Sequence, residues 1–164
     1  MAKESSFDVV SQVDMNEVRN AVNLTQKELR QRYDFKGSVS SVTLEGDALV
    51  LVSDNEGKLR SVVDLVEEKL VRRKVPLKAL AYGKIEAALG GTVRQRVAVN
   101  RGISEEKARA ITKLLRQRFK KLKVSVQGDA VRVFSPSKDE LQAVIAAVRG
   151  KEFPVAVQFV NFRD

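Results

Sequence analysis

Side chains able to do chemistry are few in this chain, and most of them are cations or aromatic rings. Neither cysteine nor histidine occurs among its 164 residues. That removes thiolate nucleophiles, the commonest general base and the usual zinc ligands. No P-loop, GxGxxG stretch or nucleophile elbow is present. Carboxylate neighbours such as Glu67-Glu68 and Glu105-Glu106 fall in helical patterns, where adjacent residues point in different directions and make poor acid–base pairs. An enzymatic role is therefore not expected, and no cofactor or metal is implied. What remains is recognition of phosphates by Lys and Arg and stacking of rings on bases.

Four groups of residues could do this. Tyr82, Lys84, Glu86, Arg94 and Arg96 alternate along two strand-like runs and are expected on one open sheet face. The competing reading of that face is ordinary cross-strand ion pairing with Glu86 and Glu45. The second group is the segment YDFKGS at 33–38, preceded by Arg32. Tyr33, Phe35 and Lys36 are more than a connector needs, and Tyr33, Phe35 or Tyr82 could stack on a base. The third is the basic stripe Arg109, Lys113, Arg116 and Lys120, which could follow a phosphate backbone or be a solvated helix face. Beyond it, Arg132 and Phe134, with Gln158 and Phe162, are expected on a second open sheet face. There Phe134 and Phe162 could meet bases or pack against protein.

The elements that must position these residues come from a repeat. LEGDALVLVS at 44–53 returns as VQGDAVRVFS at 126–135, eighty-two positions on, with Gly46-Asp47-Ala48 matching Gly128-Asp129-Ala130. Each copy reads as a hairpin around a Gly-Asp turn of type II′. Val42, Leu44, Leu49 and Leu51 share one face, and Val124, Val126, Val131 and Val133 do so in the copy. Around the hairpins, alternation predicts strands at 5–13, 82–88, 92–99 and 155–162. Spacings of three and four predict helices at 15–32, 55–73, 104–120 and from Ser137 to a stop at Gly150. Asp14 with Glu17, and Ser137 with Glu140, resemble capping boxes. Longer connectors are expected at 74–80 and 151–154. Between 82–88 and 92–99 a three-residue loop, with Thr92 opposite Ala88, keeps the apolar residues on one face.

The order strand, helix, hairpin, helix, strand, given twice, is an α+β chain of two ferredoxin-like (split βαβ) domains. Each would be a four-stranded antiparallel sheet with two helices on one face. Charge is unevenly divided. Residues 1–100 hold 16 basic and 14 acidic side chains, and residues 101–164 hold 14 and 7, within a net charge of +9. The basic half suits a polyanionic partner such as nucleic acid or a nucleotide. No apolar run is long enough to span a bilayer and the polar start is no signal peptide, so no membrane partner and a cytoplasmic location are expected.

Several longer stretches carry a resemblance: SFDVVSQVD at 6–14, YDFKGS at 33–38, GGTVRQ at 90–95, LQAVIAAVRG at 141–150 and QFVNFRD at 158–164. Together they are similar to the bacterial YajQ family over essentially the whole chain. The resemblance implies nucleotide binding without catalysis. Members are described as cyclic di-GMP receptors that contact a transcription regulator, and RNA binding is also attributed to the family. It further implies two ferredoxin-like domains that exchange first strands: 14–100, completed by strand 92–99, and 1–13 plus 101–164. The expected nucleotide residues are Arg32, Tyr33, Phe35, Lys36, Tyr82, Lys84, Arg94 and Arg96. The alternative is an RNA-binding module using the basic helix at 104–120 and the open sheet faces, with Arg109, Lys113, Arg116, Lys120, Arg132 and Phe134 as contacts. A scaffold whose sheet faces bind only proteins is a third reading.

Overall fold

A computed structural model describes residues 4–150 and 156–164. The strands are β1 (Ser5–Val10), β2 (Ser41–Glu45), β3 (Ala48–Ser53), β4 (Leu80–Ala87), β5 (Val93–Val99), β6 (Lys123–Gln127), β7 (Ala130–Ser135) and β8 (Gln158–Arg163). The helices are α1 (Met15–Gln31), α2 (Glu56–Arg72), α3 (Glu105–Arg118) and α4 (Lys138–Gly150). The expected connector at 151–154 and the start of the last strand at Val155 lie outside the described residues.

The chain divides into two compact units, residues 13–100 and residues 1–12 with 101–164. The first holds a sheet in the order β2-β3-β5-β4 and the second one in the order β6-β7-β1-β8, all neighbours antiparallel. Each is a ferredoxin-like sheet, and the first strand of the chain completes the second one. β5 occupies the central place in the first sheet that β1 would otherwise take.

Local sequence explains most of the elements. Gly46 and Gly128 open their two-residue turns at φ +59° and +61°, where a side chain would be strained. Helix starts are capped by side chains: Asp14 accepts from the Asn16 N–H, Asn55 from Lys58 and Ser104 from Lys107. At α4, Ser137 accepts from the Glu140 N–H, but the Glu140 carboxylate takes a hydrogen bond from Ser135 instead of closing the box. The apolar helix faces close over the sheets. Leu59, Val62, Val66 and Leu70 meet Leu49, Leu51 and Val97 in the first core. Ile111, Leu115, Leu141 and Val144 meet Phe7, Val9, Val131 and Val133 in the second.

The loop after β4 has the expected three residues, with Ala88 bonded to Thr92 and Ala87 paired with Val93. Further along, strict alternation fails. Tyr82 pairs with Val97 and Ile85 with Gln95, so Gly83 and Lys84 together oppose Arg96 in a β-bulge. The extra residue moves Tyr82 off the open face, where alternation placed it, onto the side of the helices. β8 contains a bulge one register position away from the corresponding place. Ser6 pairs with Arg163 and Asp8 with Val160, leaving Asn161, at φ +58°, and Phe162 opposite Phe7. Phe162 is accordingly not on the open face; its ring lies 5.6 Å from that of the buried Phe7.

Candidate functional site

The segment after α1 is built by packing. A 3-10 turn at Tyr33–Phe35 follows the helix, and Phe35, 4% exposed, enters the first core. Arg32 and Lys58 each lie 5.4 Å from its ring centre. Arg32 also forks onto the Asp34 carboxylate at 3.0 and 2.8 Å, which holds that carboxyl below its ordinary range. Phe35 is thus an anchor with no face free for a base, contrary to the expectation that it could stack. Tyr33 is 87% exposed and Lys36 is exposed beside it. Gly37, at φ +76°, turns the chain towards β2, and Ser38 there bonds the Asp54 carboxylate.

On the first sheet, Arg94 and Arg96 do share the open face, but each has a carboxylate partner. Arg94 lies 3.5 Å from Glu86, its cross-strand neighbour, and Arg96 lies 3.1 Å from Glu45. The ion-pair reading of this face describes its present geometry. Lys84 sits within the bulge. Tyr82 lies on the other side, and burial followed by the charges of Glu67 and Asp64 of α2 pushes its phenol up to about 12.

In the second unit the cations are arranged differently. Between Ser104 and Val124 there are eight Lys or Arg residues against Glu105 and Glu106. Both acids lie in the first turn of α3, where they favour its start, and the cations gather towards its end, so the helix dipole supports the division. Ala108, Ile111 and Leu115 are buried beneath the helix, which turns Arg109, Lys113 and Arg116 outward. Arg109 bonds Glu105 one turn back. Lys113, Arg116 and Lys120 have no carboxylate partner among the described residues.

Two depressions lie along α3 and the edge strand β6. One, of about 530 Å³, is lined by Arg109, Thr112, Lys113, Arg116, Gln117 and Val126. The other, of about 500 Å³, is lined by residues including Glu4, Arg116, Lys123, Ser125 and Phe134. Arg116 belongs to both. The groove therefore combines the unpaired Lys113 and Arg116 with two cations already paired, Arg109 with Glu105 and Lys123 with Glu4 at 2.8 Å, a hydroxyl at Ser125, and apolar surface at Val126 on the helix side of the sheet and at Phe134 on its open side. It can hold phosphates and cover a planar base. Lys120 stands past the end of α3 and lines neither depression.

Arg132 is committed elsewhere. Its Nε donates to Asp8 Oδ1 at 2.8 Å, Asn161 donates to Oδ2 at 2.8 Å, and Arg163 lies 3.5 Å from Oδ2. Asp8 is only 4% exposed, and the hydrogen bond from Arg132 leads in holding its carboxyl down to about 2 against the opposing effect of burial. Sequence reasoning passed over this carboxylate, although a single acid inside the apolar run SSFDVV was a visible signal. No group of acidic side chains suited to a metal occurs among the described residues, and no described helix is long and apolar enough to cross a membrane.

Comparison with known proteins accounts for the whole chain. A family model for YajQ-like nucleotide-binding proteins matches residues 5–163. A protein of Bacillus cereus strain B4264 called a nucleotide-binding protein is 53% identical over 163 residues, covering 99% of this chain and all of the relative. A Bacillus anthracis protein (strain CDC 684) of the same description matches to the same extent. With a two-unit, strand-exchanged fold and a match from β1 to β8, the chain belongs to the YajQ-like nucleotide-binding protein family.

Proposed function

We propose that this protein is a cyclic di-GMP receptor that binds its ligand in the α3–β6 groove and passes the signal to a transcription regulator by protein contact. The observation that carries the choice of site is the pair Lys113 and Arg116. They are unneutralised and stand over Val126 with Phe134 at the neighbouring depression. A cyclic dinucleotide offers two phosphates and two purine faces. Lys113 and Arg116 supply charge for the phosphates, and Phe134 supplies a stacking surface. The rival site in the first unit, with Tyr33, Lys36, Lys84, Arg94 and Arg96, would first have to release Glu86 and Glu45. Exposed pairs of that kind cost less than about 1 kcal/mol to break, so the same experiment includes it.

Calorimetric titration with cyclic di-GMP is expected to show saturable binding. Lys113→Ala with Arg116→Ala should weaken it by more than about tenfold, since hydrogen bonds to charged groups contribute about 1.5–3 kcal/mol each. Arg94→Ala with Arg96→Ala should leave it unchanged. Absence of heat at high micromolar ligand refutes the ligand, and the opposite response of the two double variants refutes the site.

RNA is the second reading, favoured by the continuation of positive charge from Arg109 along α3 to Lys120, Lys121 and Lys123. It predicts affinity for short single strands that falls linearly on a log–log salt plot.

A further inference from the structure

The first unit presents one apolar surface that its own helices leave open. β4 is an edge strand, and α2 packs on β2, β3 and β5. The bulge at Gly83 and Lys84 turns both Tyr82 and Ile85 to the helix side. They are 46% and 41% exposed, and Leu89, at the tip of the β4–β5 hairpin, is 95% exposed. Asp64 and Glu67 of α2 lie near enough to this strip for both charges to act on the Tyr82 phenol. Among the described residues neither acid has a basic partner.

The second unit shows that this pattern is not demanded by the fold. Leu59 and Leu141 stand eighty-two positions apart on α2 and α4, and so do Glu67 and Arg149. By sheet register Tyr82, paired with Val97, corresponds to Phe159, paired with Val9. There Arg149 lies 5.3 Å from the Phe159 ring, which packs on the second core. Phe162, on the helix side of β8, is itself 62% exposed, so among the described residues it is the acid beside the open strip that sets the first unit apart.

We propose that this α2–β4 face docks a basic amphipathic helix of a protein partner. In a chain of net charge +9, two unpaired carboxylates beside exposed apolar side chains complement a segment of the opposite kind. Apolar residues one turn apart on that helix seat on Tyr82, Ile85 and Leu89, and flanking Lys or Arg pairs with Asp64 and Glu67. The bulge disrupts the ladder at this edge, which disfavours extension of the sheet by an added strand. The inference does not depend on the nucleotide or its site.

The probe is a synthetic amphipathic helical peptide with leucine on one face and lysine on its flanks, titrated into the isotopically labelled full chain and followed by backbone amide shifts. Saturable shifts confined to 60–71 and 80–93 are expected. Ile85→Lys with Leu89→Lys should weaken binding by at least about tenfold, the scale of a central apolar anchor. Asp64→Asn with Glu67→Gln should weaken it too and flatten its dependence on salt. The variants' unliganded spectra report whether their folds are intact, and the carboxamide pair serves as the test if the apolar pair fails to fold. Binding elsewhere, no binding, or indifference to both pairs overturns the proposal. So does the appearance of the same shifts on raising the protein concentration alone, because the occupant is then a second copy of this chain.

Discussion

Replacing Asp8 by asparagine keeps the shape of the side chain and removes the charge that Arg132, Asn161 and Arg163 surround. The carboxyl is held at about 2 against an ordinary 3.8. At about 1.36 kcal/mol per unit, the difference corresponds to roughly 2.5 kcal/mol of folding stability at neutral pH. Because the folded value is depressed, that stability is fully present above the unfolded value. It is lost as pH falls from about 4 through 2, with about 1 kcal/mol gone by pH 3. Urea unfolding of the wild type and Asp8→Asn, followed by circular dichroism across this range, measures the effect. The variant should be less stable by about 2 kcal/mol at pH 7, and the gap should shrink steadily below pH 4. A gap that stays constant from pH 6 to pH 2.5 would refute the assignment of this stability to the ionised carboxylate.

Three further outcomes follow from the fold. Residues 13–100 contain all four strands of the first sheet, so that fragment should fold alone, whereas 101–164 lacks β1 and should remain unfolded until a peptide of residues 1–12 is added; amide exchange distinguishes the cases. Gly83→Ala would place a Cβ 2.9 Å from the Arg96 carbonyl oxygen, and should cost about 1–3 kcal/mol by denaturant unfolding. Absorbance titration should find one tyrosine ionising near 12, Tyr82, and Glu67→Gln should lower that value by removing a neighbouring negative charge.

Hairpins and helices were legible in the sequence because each rests on a local pattern or on the repeat, whereas the exchange of strands was implied only by the resemblance to the YajQ family. Gly46 and Gly128 mark their turns, and the apolar phase around them sets which residues face the helices. The open faces were less legible. Alternation assumes a regular pleat, and one added residue in β4 or β8 reverses everything beyond it; Gly83 inside YGKIE is the kind of residue that marks a bulge, whereas nothing in FVNFR announces one on its own. Cross-strand pairing was legible where register was: Glu45, far from Arg96 in sequence, pairs with it across the sheet as the ion-pair reading expected. Phe35 looked like a free ring because the neighbours that enclose it, Lys58 and the first core, come from later in the chain.

The exchanged strand also orders events during synthesis. β1 emerges early, yet its partners β7 and β8 follow only after some 125 to 150 further residues, about 6 to 30 s at ordinary translation rates. Throughout that interval the first unit can complete its own sheet, and SSFDVV remains an unpaired segment of high strand propensity. Asp8, at its centre, carries the charge that keeps such a segment from stacking with copies on neighbouring ribosomes. The carboxylate later enclosed by Arg132, Asn161 and Arg163 is thus the one charge within the strand while it waits and the pin that fastens it once β7 and β8 arrive.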